Sequence, residues 1–241
     1  MRHQAAGLSA TVSYGNWAPL TANNTVVSGD VFVRAGDKFA LTLDAKTFLD
    51  KPYDIYSEQG AFKGSFKPYD LIIGLGAEYY ITDALSAGLT LRSVTSALAE
   101  KNTGSSFCGD IFVRYGGEKW GVELAGRNIG TKISYGSDSY AIPSLVAVDG
   151  FYKPLEGLTV AGEADLLFNG ALMAGVGAEY GFKDIAFARA GFHYGDPAKA
   201  LPAFLSLGIG GKYAGFRLDG TFLLLSETLG NTFLVSLGYE F

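Results

Sequence analysis

The last ten residues, Thr232-Phe233-Leu234-Val235-Ser236-Leu237-Gly238-Tyr239-Glu240-Phe241, constrain the fold more than any other stretch. Phe233, Val235, Leu237, Tyr239 and Phe241 occupy every second position, with mostly small or polar residues between them. Successive side chains leave a strand on opposite sides, so a period of two marks a strand with one apolar face. A soluble sheet gains little from an exposed terminal Phe. A strand whose outer face meets lipid, and whose ends reach an aromatic girdle, gains a great deal.

The same alternation recurs along the chain. Strands are expected at 8–14, 25–34, 38–49, 70–81, 85–94, 105–115, 120–129, 143–152, 158–167, 171–180, 185–194, 203–213, 216–225 and 232–241. That is about fourteen segments, an even count, each near the length a tilted strand needs to cross hydrocarbon. Gaps after even-numbered segments are short, such as Ala35-Gly36-Asp37 and Ala214-Gly215. Gaps after odd-numbered segments are mostly longer: 15–24, 50–69, 95–104, 130–144 and 195–202. Tight periplasmic turns alternating with longer extracellular loops belong to an antiparallel up-and-down transmembrane barrel. Both termini are then periplasmic, and the outer membrane of a Gram-negative bacterium is the expected location. Residues 1–241 read as one domain.

Composition agrees. Hydrophobic residues make up 48% of the chain, yet no run reaches the ~20 apolar residues of a membrane helix. A spanning chain must then close into a barrel, so that every backbone polar group is paired. The net charge is −5 and no basic stripe exists, which excludes a nucleic-acid partner. The single cysteine, Cys108, cannot form an internal disulfide. No signal peptide precedes the first strand, so the native N-terminus is expected to lie outside this sequence.

Barrel size decides which face is which. Side chains cannot fill the lumen of so many strands, so the apolar face looks outward to lipid. Asp30, Arg34, Asp110, Arg114, Arg127, Glu163, Asp165, Glu179, Arg189, Arg217 and Asp219 share the opposite phase and are expected to line the lumen as bracing ion pairs. Asp44, Lys46, Glu78, Arg92, Cys108, Glu123, Asp149, His193 and Lys212 share that phase. The pairs Gly74/Gly76, Gly175/Gly177 and Gly208/Gly210 open no helix and so are not phosphate loops; they place small residues on the inner face. His3, His193 and Cys108 form no metal-binding spacing, and no nucleophile motif surrounds His193, so neither metal, cofactor nor catalysis is expected. Trp17, Tyr53, Tyr56, Phe62, Phe66, Tyr69, Tyr135 and Tyr140 fall in or beside the longest gaps, where aromatics can anchor a partner or form the outer girdle.

Several stretches resemble the PorV/PorQ-like barrels, a branch of the FadL-like fold associated with type IX secretion. They are 60–70, the Asp-containing strand Gly109-Asp110-Ile111-Phe112-Val113-Arg114-Tyr115, the motif Arg127-Asn128-Ile129-Gly130 followed by Ile142-Pro143, Arg189-Ala190-Gly191-Phe192, and Leu229-Gly230-Asn231-Thr232. The ending resembles the C-terminal signal of bacterial outer-membrane barrels. Phe233, Leu237, Tyr239 and Phe241 would then meet the barrel-insertion machinery. FadL-like proteins start with a segment that folds into the lumen, often with Asn-Pro-Ala before the first strand; here Gln4-Ala5-Ala6-Gly7-Leu8 stands instead. The resemblance implies a non-enzymatic barrel, of Bacteroidota type, that binds other outer-membrane or secreted proteins in a secretion or cell-surface assembly. Tyr53, Tyr56, Phe62, Phe66, Tyr135 and Tyr140 would supply its contact surface. The alternative is a FadL-like channel for small or hydrophobic molecules, and a barrel with no specific ligand comes third.

Overall fold

A computed structural model describes residues 7–17, 24–196, 198–226 and 229–241. His3 and the Gln4–Ala6 stretch lie outside the described residues. The strands are β1 (Leu8–Trp17), β2 (Asn24–Ala35), β3 (Phe39–Leu49), β4 (Tyr53–Tyr56), β5 (Phe62–Phe66), β6 (Tyr69–Tyr80), β7 (Leu85–Ala99), β8 (Asn102–Gly116) and β9 (Trp120–Gly130). They continue with β10 (Ile133–Tyr135), β11 (Asp138–Tyr140), β12 (Leu145–Leu155), β13 (Leu158–Leu167), β14 (Leu172–Phe182), β15 (Ala186–Gly195), β16 (Phe204–Tyr213), β17 (Phe216–Leu224) and β18 (Thr232–Glu240). The main sheet is wholly antiparallel. β10 and β11 form a side hairpin on it, and the other 14 strands close into a barrel. Closure needs β18 against β1, from Ser9↔Glu240 to Gly15↔Leu234, and the Phe241 N–H donates to the Leu8 carbonyl at 3.0 Å.

Outward positions carry Leu41, Leu43, Ile73, Leu75, Leu91, Ile111, Leu124 and Ile209, all exposed. Burying this band in lipid is the source of stability that water cannot supply. Outward rings cluster where the turns are short: Phe39 with Tyr79, Tyr115 with Trp120, and Tyr239 between Phe216 and Phe241. Phe233, Leu237, Tyr239 and Phe241 all lie on the outer side of β18.

The turn pattern departs from expectation in one place. The 95–104 gap is no long loop: β7 and β8 run on to Ala99 and Asn102 and meet in a tight hairpin at Glu100-Lys101. Ser and Thr at 93, 95, 96, 103, 105 and 106 continue the strands with polar side chains, which hides them from a hydrophobic pattern. Trp17 likewise belongs to β1 rather than to a loop. Within the two longest gaps sit short hairpins, β4–β5 and β10–β11.

β8 and β9 meet through a bulge that explains the Arg127-Asn128-Ile129-Gly130 motif. The pairing runs from Ile111↔Gly126 to Gly109↔Ile129, so one residue on β8 faces two on β9. Asn128 takes φ 55°, a left-handed conformation that Asn tolerates better than most residues. Its N–H donates to Asp110 Oδ1 at 2.8 Å, and its carbonyl accepts from Ser144 Oγ at 2.6 Å. Gly130 is needed because a Cβ there would run into the Phe107 carbonyl oxygen.

Candidate functional site

The lumen is the site. Its wall combines charge, small residues and aromatic rings in a regular way. Arg92 reaches Asp110 and lies 3.7 Å from Asp44. Arg114 reaches Glu78 at 2.9 Å and Glu123 at 2.5 Å. Arg127 bridges Glu123, at 2.9 Å, and Asp149. Further round the wall, Arg189 and Arg217 each contact both Glu179 and Asp219, at 2.5 to 3.2 Å. Lys212 meets Glu240 at 2.5 Å. Pairing each of these five arginines with two acids holds neighbouring strands at a fixed spacing and leaves little net field along that part of the wall.

Four residues expected in this bracing lie outside it. Asp30 sits directly opposite Asp44, a like charge. The Arg34 guanidinium lies over the Tyr80 ring, 4.6 Å from its centroid, and donates to the Asp37 carbonyl. Among the described residues, the ion-pair neighbour of Glu163 is His193, with Nδ1 3.9 Å away. Asp165 is buried, and its Oδ1 has no hydrogen-bond partner among the described residues. A shared phase puts side chains on one face but does not bring their ends together.

The Gly-x-Gly pairs have a specific job. Gly74 lies opposite Asp44, Gly175 opposite Glu163 and Gly210 opposite Asp219. A Cβ at Gly74 would stand 2.5 Å from Asp44 Oδ1, and one at Gly175 would stand 2.7 Å from Glu163 Oε1. These carboxylates therefore lie flat against bare backbone and leave the centre of the lumen open.

The lumen also holds aromatic rings that the charge pattern did not foretell. Phe112, Phe151 and Phe187 point inward, each over a glycine directly across the ladder: Gly88, Gly121 and Gly181. Arg114 covers Phe112 at 4.2 Å and Arg217 covers Phe187 at 4.3 Å, while Lys153 lies 5.8 Å from the centroid of Phe151. The result is a collar near the short-turn rim with layers of glycine, ring and cation. Two signals could have revealed it. Phe112 occupies the phase of Asp110 and Arg114, and each of the three rings pairs with a Gly.

Open space inside the wall is divided among cavities of different size. One of about 370 Å³ is lined by Phe32, Asp44, Glu78, Arg92, Phe112 and Arg114 among others. Another, of about 1300 Å³, reaches from Arg34 and Lys153 at the short-turn end to His193 and Phe204 near the opposite rim. Cys108 is a buried free thiol opposite Arg92. Among the described residues, no three His, Cys, Asp or Glu are placed to hold a metal ion.

The aromatic residues expected at a contact surface divide between the two side hairpins. Tyr53 packs on Phe66, with centroids 5.9 Å apart, and Tyr56 on Phe62 at 5.8 Å. Tyr135 packs on Tyr140 at 6.2 Å. Tyr53 also donates to the Leu98 carbonyl, which ties β4–β5 to the top of β7.

The closed antiparallel barrel of 14 strands, with its apolar band and unfilled, ion-paired lumen, matches FadL-like barrels in fold. Solved structures of that class superpose over nearly the whole chain. The toluene transporter TbuX of Ralstonia pickettii gives a TM-score of 0.69 at 12% identity, covering 99% of this chain and 90% of that one. The toluene transporter TodX of Pseudomonas putida gives 0.67 at 10% identity, with 96% and 88% covered. A FadL homologue of Pseudomonas aeruginosa gives 0.61 at 12% identity, with 97% and 90% covered. No family model matches the sequence, and no curated protein matches it. Identity this low establishes a shared fold.

Proposed function

We propose that this protein is an outer-membrane channel for small hydrophobic molecules, with the long-loop rim outside the cell and both termini in the periplasm. The carrying observation is the lumen itself. About 1300 Å³ stays open, which is more room than a drug-sized ligand needs. Much of its charge is neutralised in place, and aromatic faces line its short-turn end. A charge-selective pore would present a ring of like, unpaired charges at its constriction. The similar barrels TbuX and TodX are toluene transporters, which supports the same substrate class here. No step of chemistry is needed, so the reading is non-enzymatic.

The test is accumulation of radiolabelled toluene by a Gram-negative host that lacks its own channel of this kind. Cells carrying the protein should take up toluene faster than vector controls, while glucose entry stays unchanged. Equal toluene uptake would remove the channel reading.

A second reading has its own observation. The PorV/PorQ-like motifs suggest a protein-binding role in a secretion assembly, and the β4–β5 and β10–β11 hairpins offer a surface. Tyr56, Phe62 and Tyr140 are 58–62% exposed there. We rank it below the channel, because hairpins stapled by their own ring pairs have a structural use already.

A further inference from the structure

We propose that the lumen contains a binding subsite for an organic ammonium ion, formed by Glu163 and Asp165 with the His193–Phe204 ring pair. The inference rests on the reading of the lumen as a conduit. It begins with one row of the sheet. Arg114, Glu123, Asp149, Glu163, Gly175, His193 and Phe204 lie directly opposite one another on successive strands β8, β9 and β12 to β16. Three carboxylates therefore stand side by side, an arrangement that repels unless cations intervene. Arg127 intervenes between the first two and bonds both Glu123 and Asp149. Among the described residues no cation bonds Glu163, and Arg127 and His193 act on it only from a longer distance. Its side chain stays 44% exposed toward the cavity, and the His193 nitrogen at 3.9 Å is beyond hydrogen-bond reach.

Asp165 adds an independent observation. It is only 8% exposed, and Oδ1 has no partner among the described residues. Its neighbours across the ladder are Ala147 and Met173, so it stands in an apolar row. Its electrostatic neighbours are Arg127, Asp149 and His193, which place it in the same group as Glu163. A carboxylate held this way is costly unless a cation reaches it.

The surroundings select the kind of cation. The described acids do not gather as a metal site. Instead, the His193 ring stacks on Phe204, centroids 4.7 Å apart and planes 19° from parallel. Gly175 stands between Glu163 and His193 in the row, and the Glu163 carboxylate lies over its bare backbone. A molecule with an ammonium group on a flat apolar body matches this: its N–H groups meet Glu163 and Asp165, and its body lies on the ring pair. A cation beside aromatic faces gains further attraction.

The test uses the full chain folded in a nonionic detergent and titrated calorimetrically with benzylammonium chloride, with benzyl alcohol as the neutral match. Glu163→Gln should weaken benzylammonium binding at least about tenfold, the loss of one charge-assisted contact. Benzyl alcohol binding should not change. Asp165→Asn should weaken benzylammonium similarly, and Phe204→Leu should weaken both ligands. Each variant is scored with its heat-dependent gel shift, and Glu163→Gln, which faces the open cavity, decides the case if the buried variant folds poorly. Equal benzylammonium affinity in wild type and Glu163→Gln, or no binding at all, would overturn the proposal. Displacement by an equal concentration of sodium chloride would overturn it too, because a bare acidic patch does not discriminate. Toluene uptake separates the two readings. Failed uptake with intact benzylammonium binding removes the conduit and keeps the subsite; intact uptake without binding does the reverse.

Discussion

At the residue scale, the lumen wall shows how one substitution can cost far more than its neighbours suggest. Arg217 is 9% exposed, touches Glu179 and Asp219, and covers Phe187. Replacing it by Met keeps the volume but leaves Glu179 and Asp219 with Arg189 alone. The expected loss is about 1.5–3 kcal/mol of unfolding free energy, the range for losing a charge-assisted hydrogen bond. Urea titration of the barrel in lipid vesicles would measure it. Lys101→Met, at the exposed β7–β8 hairpin tip, should change stability by less than about 0.5 kcal/mol. A loss at Arg217 no larger than that at Lys101 would mean that the wall is not braced. Phase alone told which residues face inward. It could not tell that Glu179 would find two arginines and Asp165 none, because partner choice depends on the stagger between strands.

At the element scale, the barrel strands with a clean alternation were legible in the sequence, from β1 to β18, and the side hairpins were not. The tight β7–β8 hairpin was not, because its tips are Ser- and Thr-rich and carry no apolar beat. The inner collar was hidden for the opposite reason. In Val31-Phe32-Val33 and Ile111-Phe112-Val113 both faces are apolar, so alternation vanishes where a ring enters the lumen. The side hairpins were read as loops since strands of three to five residues are too short to show a period. They carry their own prediction. Phe62 and Tyr135 each pack on a partner ring within their hairpin. Replacing both with Ser should leave the barrel folded by gel shift. If the hairpins hold a partner protein, the same change should reduce its co-purification from native membranes under mild detergent. Unchanged recovery of every co-purifying protein would leave the hairpins a purely structural role.

At the scale of the whole molecule, a closed barrel follows from one physical demand: no backbone group may face lipid unpaired. β18 meets that demand by pairing with both β17 and β1. Its outward residues Phe233, Leu237 and Tyr239, with Phe241 just beyond, then seat the closing strand in the membrane, and we propose that the barrel-insertion machinery recognises them. The class of fold was readable from the chain. The open lumen, with acids folded onto glycines and rings onto glycines, required the ladder register.

The central claim is that molecules pass through this lumen, and it can be tested by filling it. Ser206 and Thr221 both line the large cavity. A Ser206→Trp, Thr221→Trp double variant, shown to be folded by its heat-dependent mobility, should bring toluene accumulation in host cells down to the vector background. Uptake by the filled barrel equal to that of wild type would contradict the account, since the molecule would then be crossing by some route other than the lumen.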